Sequence, residues 1–219
     1  MSWFTQFLTS SIGRKLLMSL TGLFLVIFLL IHLIGNLQLL AGDGGESFNH
    51  YAEFMAHNPL IQIVSKGLYF FILLHAYQGI VLWIKNRAAR GNERYAVQVT
   101  RAVNTNSFAA KNMAWLGIII FIFLIIHMGQ FWAKMKFGGE TDLYSLVSML
   151  YTNPVWVVFY IVCMVIVAVH LWHGFQSSFQ TLGLNHPKYS PLIRFVGKAY
   201  SILIPLGFAM IPIIMFLNK

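Results

Sequence analysis

Long apolar runs alternate with short polar interruptions along the whole chain. The runs cover residues 16–40, 59–84, 113–133, 154–182 and 191–217. A bilayer core of ~30 Å needs about 20 apolar residues in helical form, so each run predicts one membrane-spanning helix. Residues 1–13 carry Trp3, Phe4 and Phe7 and no charged side chain, which predicts an interfacial segment feeding the first span. Arg14 and Lys15 precede a run too long for the apolar region of a signal peptide. The expected fold is a single all-α membrane domain over 1–219 with five transmembrane helices.

Composition strengthens this reading. Of 219 residues, 58% are hydrophobic and 10% charged, and the mean hydropathy is +0.70. A soluble domain spends about a quarter of its residues on charge, so lipid is the expected solvent. The same figures remove disordered, collagen-like and disulfide-scaffold classes. Cys163, the one cysteine, forbids an intrachain disulfide, a CxxCH haem attachment and any thiolate cluster built by this chain alone.

Charge then predicts orientation. With the N-terminus cytoplasmic, eleven of the fifteen basic residues face inward: Arg14, Lys15, Lys85, Arg87, Arg90, Arg94, Arg101, Lys111, Lys188, Arg194 and Lys198. Lys66, Lys134, Lys136 and Lys219 face out, which follows the positive-inside rule and puts the C-terminus outside. The acids fall the other way, with Glu93 alone inside. The net charge of +9 is therefore mostly a property of the inner face, where it attracts anionic lipid. The basic loop 85–111 also suits a soluble partner. Nucleic acid is not an expected partner, since the chain offers neither a recognition helix nor a stacking platform.

An offset of 95 residues aligns uncommon residues with one another. Gly22 meets Gly117, His32 meets His127, Asn58-Pro59 meets Asn153-Pro154, His75 meets His170, and Gly79 meets Gly174. Spans one and two are thus repeated in the same orientation as spans three and four. Asn caps free N–H groups and Pro at the first helical position lacks one, so both Asn-Pro pairs predict helix starts. The fifth span has no counterpart and carries Pro205 and Pro212, which predicts a kinked accessory helix.

Counting along the helices places the histidines at two depths. His75 and His170 each lie sixteen residues after their Asn-Pro proline, ~24 Å from the outer boundary. His32 and His127 lie at similar distances from Lys15 and Lys111 but on spans that start inside, so they reach the outer half. The levels are roughly 15 to 20 Å apart by helix rise. A lone intramembrane histidine is commonly helix glue. Four of them, paired by depth and related by a repeat, point to ligation. Two imidazoles per level leave a bare divalent ion short of ligands but suffice for haem iron. Gly79 and Gly174, four residues after His75 and His170 on the same helical face, leave room for a flat macrocycle. The expectation is two b-type haems, held by His32 with His127 and by His75 with His170, inside a four-helix bundle of spans one to four. His173 rivals His170 by spacing, but the repeat matches it to Gln78 and leaves it a hydrogen-bonding or quinone-side residue. His50, His57 and His186 are expected in loops.

With these residues in place, the chain resembles the five-helix dihaem cytochrome b that anchors succinate:menaquinone oxidoreductases and related fumarate reductases in the membrane. The resemblance spans essentially the whole chain. It rests on one histidine in each of spans one to four, on Ser11-Ile12-Gly13-Arg14-Lys15, on His32-Leu33-Ile34-Gly35-Asn36, and on His170 to Gly183 followed by Leu184-Asn185-His186-Pro187-Lys188-Tyr189. It implies two haem b groups with the same pairing and menaquinone as the membrane substrate. It also implies a flavoprotein subunit with covalent FAD and an iron–sulfur subunit on the cytoplasmic face of a bacterial inner membrane. This chain would conduct electrons and perform no succinate chemistry itself. A quinone site also needs a titratable group near a haem edge. Glu53, past span one on the outer side, is either that group or an ordinary loop acid. Some fumarate reductases of this family carry a glutamate two residues before the fourth ligand; here that position is Ala168. Arg14, Lys15, Arg87 and Arg101 are the inner candidates for haem propionates. A cytochrome b serving a hydrogenase or formate dehydrogenase would dock its partner outside, against short acidic loops, and a haem-free proton-coupled transporter would use the histidines as relays. The direction of turnover, and whether the heterotrimer pairs with a second copy, are open at this level.

Overall fold

The computed structural model describes residues 2–91 and 107–218. Glu93, Arg94 and Arg101 of the basic loop, and Lys219, lie outside the described residues. The described chain is helical, with no strand among the described residues. Helix α1 (Trp3–Thr9) leads into α2 (Ser11–Asn36), which ends in a short 3-10 turn (Leu37–Leu40). Then follow α3 (Glu46–His57), α4 (Pro59–Arg90), α5 (Ser107–Gln130), α6 (Trp132–Phe137), α7 (Leu143–Tyr151), α8 (Pro154–Thr181) and α9 (Ser190–Leu217). Five of these are long and apolar enough to cross a membrane, namely α2, α4, α5, α8 and α9.

Local chemistry sets the boundaries. Ser10 stands in extended conformation between α1 and α2, and its hydroxyl accepts from Gly13 N at 3.0 Å. The chain turns there so tightly that a Cβ on Gly13 would strike the Phe7 carbonyl. Asn58 Oδ1 accepts from the N–H groups of Leu60 and Ile61 at 3.0 and 3.2 Å, and Asn153 Oδ1 from Val155 N at 2.9 Å. Each cap is worth about 1 kcal/mol, and each is followed by proline as the first helical residue of α4 or α8. Helix α9 runs through both Pro205 and Pro212, which are buried.

Packing gives the long helices their order. α2 packs on α4 and α8, and α5 packs on the same two helices. Side-by-side neighbours therefore follow the cycle α2, α4, α5, α8 and back to α2. α9 lies along α8, and its Tyr200 hydroxyl donates to the Val26 carbonyl of α2. α8 is the most enclosed helix, burying Val157, Tyr160, Met164, Val167, Leu171 and Phe175. Large apolar side chains elsewhere point away from the protein, with Ile34 59%, Phe70 60% and Leu203 61% exposed. In water such surface would be unstable, and it suits a hydrocarbon solvent.

Between the long helices, α3 and α7 are shorter than a membrane crossing and pack on each other. This corrects the expectation for His50 and His57, which lie in α3 rather than in a loop. A ruler set at about twenty apolar residues passes over so short a helix. Asn49 of α3 and Asp142 at the start of α7 clasp the two. Asn49 Nδ2 donates to Asp142 Oδ1 at 2.8 Å, and Asn49 Oδ1 accepts from Tyr144 N at 2.9 Å. Hydrogen bonds from the Ser145 hydroxyl and backbone N–H, then from Asn49, hold the Asp142 carboxyl below its ordinary value. A depressed folded value means the carboxylate stabilises the clasp fully above the unfolded value of about 4, and this is lost as pH falls through the lower folded value. Hydrogen exchange at the Tyr144 and Ser145 amides is accordingly expected to stay slow down to about pH 4 and to quicken below it. Asp142→Ala should show the quick exchange already at neutral pH.

Candidate functional site: two imidazole pairs between four helices

Four histidines of the long helices meet in two pairs. His32 of α2 and His127 of α5 have ring centroids 6.0 Å apart, with planes at 89°. His75 of α4 and His170 of α8 have centroids 6.4 Å apart, with planes at 69°. Neither pair joins side-by-side neighbours in the helix cycle; each reaches across it. The two levels can be measured along single helices. His75 touches α2 at Thr21, eleven residues before His32, which is about 16 Å of helix. His127 touches α8 at Tyr160, ten residues before His170, or about 15 Å.

The hydrogen bonds around two of the rings select a tautomer. The Thr21 hydroxyl donates to the Leu17 carbonyl at 2.7 Å, so its oxygen is left to accept. It lies 3.1 Å from His75 Nδ1, which therefore carries the proton and leaves the Nε2 lone pair open. The Tyr160 hydroxyl likewise donates to Gln130 Oε1 at 2.6 Å and faces His127 Nδ1 at 3.2 Å. His127 is thereby held in the same tautomer. In both cases the acceptor comes from the other helix of the same repeated hairpin. His32 differs, because Asn36 Nδ2 sits nearly equidistant from its two ring nitrogens, at 3.3 and 3.5 Å, and bonds the His32 carbonyl at 2.7 Å. Nδ1 of His170 is buried with no hydrogen-bond partner.

Beyond those polar partners, aromatic side chains and glycines surround the rings. Phe28 stacks on His32 at 5.1 Å, and Phe123 and Phe131 flank His127 at 5.7 and 5.2 Å. A Cβ on Gly22 of α2 would lie 3.2 Å from His75 Cε1, and one on Gly117 of α5 would lie 3.9 Å from His170 Cε1. Each repeated glycine thus lets an imidazole of its hairpin partner rest against the helix. Gly174 has nothing within 4 Å of where its Cβ would be, while Met18 Cε comes within 3.1 Å of that place at Gly79.

The other candidate residues are spread around this centre. Arg14 Nη1 donates to Gln78 Oε1 at 3.2 Å, one turn from His75. Arg87 lies 6.0 Å over Trp83 on α4. His173 lies one turn beyond His170, with its Nδ1 buried and unpartnered. Glu53 is on the exposed side of α3, where its backbone carbonyl is 2.9 Å from His57 Nδ1. It does not join His32 and His127 as a ligand group, and among the described residues no three His, Cys, Asp or Glu side chains gather around one point. Sequence reasoning misses Thr21, Tyr160, Gln130 and the contacts of Gly22 and Gly117. For the glycines a signal is present in the 95-residue repeat.

A metal bonded at about 2 Å by each of two facing imidazoles holds the ring centroids about 6 Å apart. Both pairs have that spacing, with one tautomer fixed at each level and the space beside Gly174 open. The donor set of each level fits a group that needs two axial nitrogens and supplies its other ligands itself, as haem does. Comparisons with protein-family models, with curated proteins and with solved structures find no match to this chain.

Proposed function

We propose that the chain is the dihaem cytochrome b membrane anchor of a succinate:menaquinone oxidoreductase or fumarate reductase. In this reading α2, α4, α5 and α8 form a four-helix cage for two b haems. The observation that carries it is the pair of diagonal imidazole couples, each near 6 Å between centroids and about 15 Å apart in depth. Bound haem iron supplies one-electron chemistry. The chain's own residues do the rest. Thr21 and Tyr160 keep His75 and His127 in the tautomer that presents Nε2, and the phenylalanines around His32 and His127 exclude water. Arg14, beside the His75 level, is the cation for a propionate there, with Gln78 holding its guanidinium in place.

Orientation belongs to the proposal as well. Arg14, Lys15, Lys111, Arg194 and Lys198 lie toward the starts of α2, α5 and α9, Lys85, Arg87 and Arg90 at the end of α4, and Lys188 in the α8–α9 turn, which with alternating spans supports a cytoplasmic placement of that side. A flavoprotein and an iron–sulfur subunit dock there, and electrons pass between them and menaquinone. Glu53, exposed and past the His32 end of α2, is the candidate for exchanging quinone protons with water. The test is purification of the tagged chain from its native membrane. Copurification of a covalent flavin subunit, with reduction of the chain's chromophore on adding succinate, is expected. Recovery with a partner that lacks flavin would sink the assignment.

The imidazole partners give a finer expectation. An acceptor on Nδ1–H raises the basicity of a metal-bound imidazole and stabilises oxidised iron. Tyr160→Phe should therefore raise the midpoint potential of one haem, and Thr21→Val that of the other, each with up to about tenfold weaker haem retention. A redox titration in which either variant shifts both haems, or neither, contradicts the pairing.

A further inference from the structure

A second polar feature lies away from the histidine pairs, in a cleft between the last turns of α8 and the first turns of α9. Gln176, Phe179 and Gln180 line it from one side, and Ser190, Ile193 and Arg194 from the other. Both sets have i, i+3, i+4 spacing, so two helix faces look at each other across the cleft. Gln176 is 3% exposed, yet its Nε2 has no hydrogen-bond partner. A buried donor in that state is open to an acceptor. At the start of α9 the Ser190 N–H donates to the His186 carbonyl at 2.9 Å and Pro191 has no N–H, so what the helix start offers this region is the positive end of its dipole. Arg194, whose Nε donates to the Ser190 carbonyl at 3.3 Å, adds a positive charge.

The cleft therefore presents an amide donor, a helix start and a guanidinium, which together select an anion with several acceptor oxygens. A phosphate meets that description. Its source is indicated by the next side chains on α9: Leu192 is 63% and Phe195 70% exposed, offering apolar surface directly beside the polar cleft. Polar recognition at the end of two membrane-length helices, with oil-facing side chains alongside, matches a lipid whose head and tails part at that level. We propose that this cleft binds the phosphate headgroup of an anionic phospholipid, clamping the α8–α9 junction. The inference stands apart from the haem reading.

Native mass spectrometry of the detergent-solubilised full chain tests it, with phosphatidylglycerol, diacylglycerol of the same acyl chains and inorganic phosphate as separate probes. Phosphatidylglycerol should be retained as one tightly held copy and diacylglycerol should not. Arg194→Gln and Gln176→Leu should each weaken retention about tenfold, the loss expected for one charge-assisted or buried hydrogen bond. Lys136→Gln, at the other end of the molecule, should leave it unchanged. Should Gln176→Leu fail to fold, Arg194→Gln decides alone. Equal retention of diacylglycerol, unaltered binding in Arg194→Gln, or inorganic phosphate binding as tightly as the lipid would each overturn the proposal.

Discussion

If the proposed cage holds two haems, the His75→Ala chain is expected to carry one and the native chain two. The same loss should follow His170→Ala, because the two rings face each other at one level and a haem held by a single imidazole has lost half of its axial attachment. His32→Ala and His127→Ala should remove the other haem. The levels are about 15 Å apart, and sites at that distance without shared partners respond independently. Haem content per chain in purified membranes, read from the pyridine haemochrome, should therefore fall from two to one in each variant. The spectrum that remains should be common to His75→Ala and His170→Ala, and different from that common to the other two. If His75→Ala and His127→Ala left the same haem, the pairing would be wrong.

Gly22→Leu should reproduce the His75→Ala spectrum without touching a ligand. A Cβ at Gly22 already comes within 3.2 Å of His75 Cε1, closer than packed carbons lie, and a leucine would drive its branch into the ring. The ring can yield only by giving up the contact of its Nδ1 with Thr21, one residue earlier on the same helix. Overpacking of this kind costs roughly 1–3 kcal/mol, which a membrane helix pair can absorb by displacing the imidazole. The haem at that level should be lost while the other is kept. Gly117→Ala is the control, since its Cβ would meet His170 Cε1 at an ordinary 3.9 Å. Both haems should survive that change. A Gly22→Leu chain with two haems and an unaltered spectrum would show that His75 does not sit against α2.

Depth in this site is legible from sequence because helical rise is linear, so counting from Asn58-Pro59 and Asn153-Pro154 suffices to set His75 and His170 on one level. The repeat marks Gly22 and Gly117 as unusual, but a glycine's use depends on which side chain crosses it, and that is set by packing between helices. Thr21 and Tyr160 are silent for another reason. A hydroxyl in an apolar helix ordinarily bonds its own backbone, as Thr21 does to Leu17, and nothing in the sequence tells that its oxygen also serves a neighbour. Spacing alone predicts room beside the histidine at Gly79, and there Met18 Cε approaches instead; the open position is at Gly174. The short helices α3 and α7 escape a reading by apolar runs because each is too brief for a span and is stabilised by its contact with the other, including the Asn49–Asp142 clasp.

That both imidazole couples hold haem iron is tested most directly by electron paramagnetic resonance of the purified, oxidised chain, with iron and haem quantified on the same sample. Two low-spin bis-imidazole ferric signals of equal weight are expected, one vanishing with His75→Ala and the other with His127→Ala. A chain without haem, or one whose low-spin signals survive both substitutions, would contradict it.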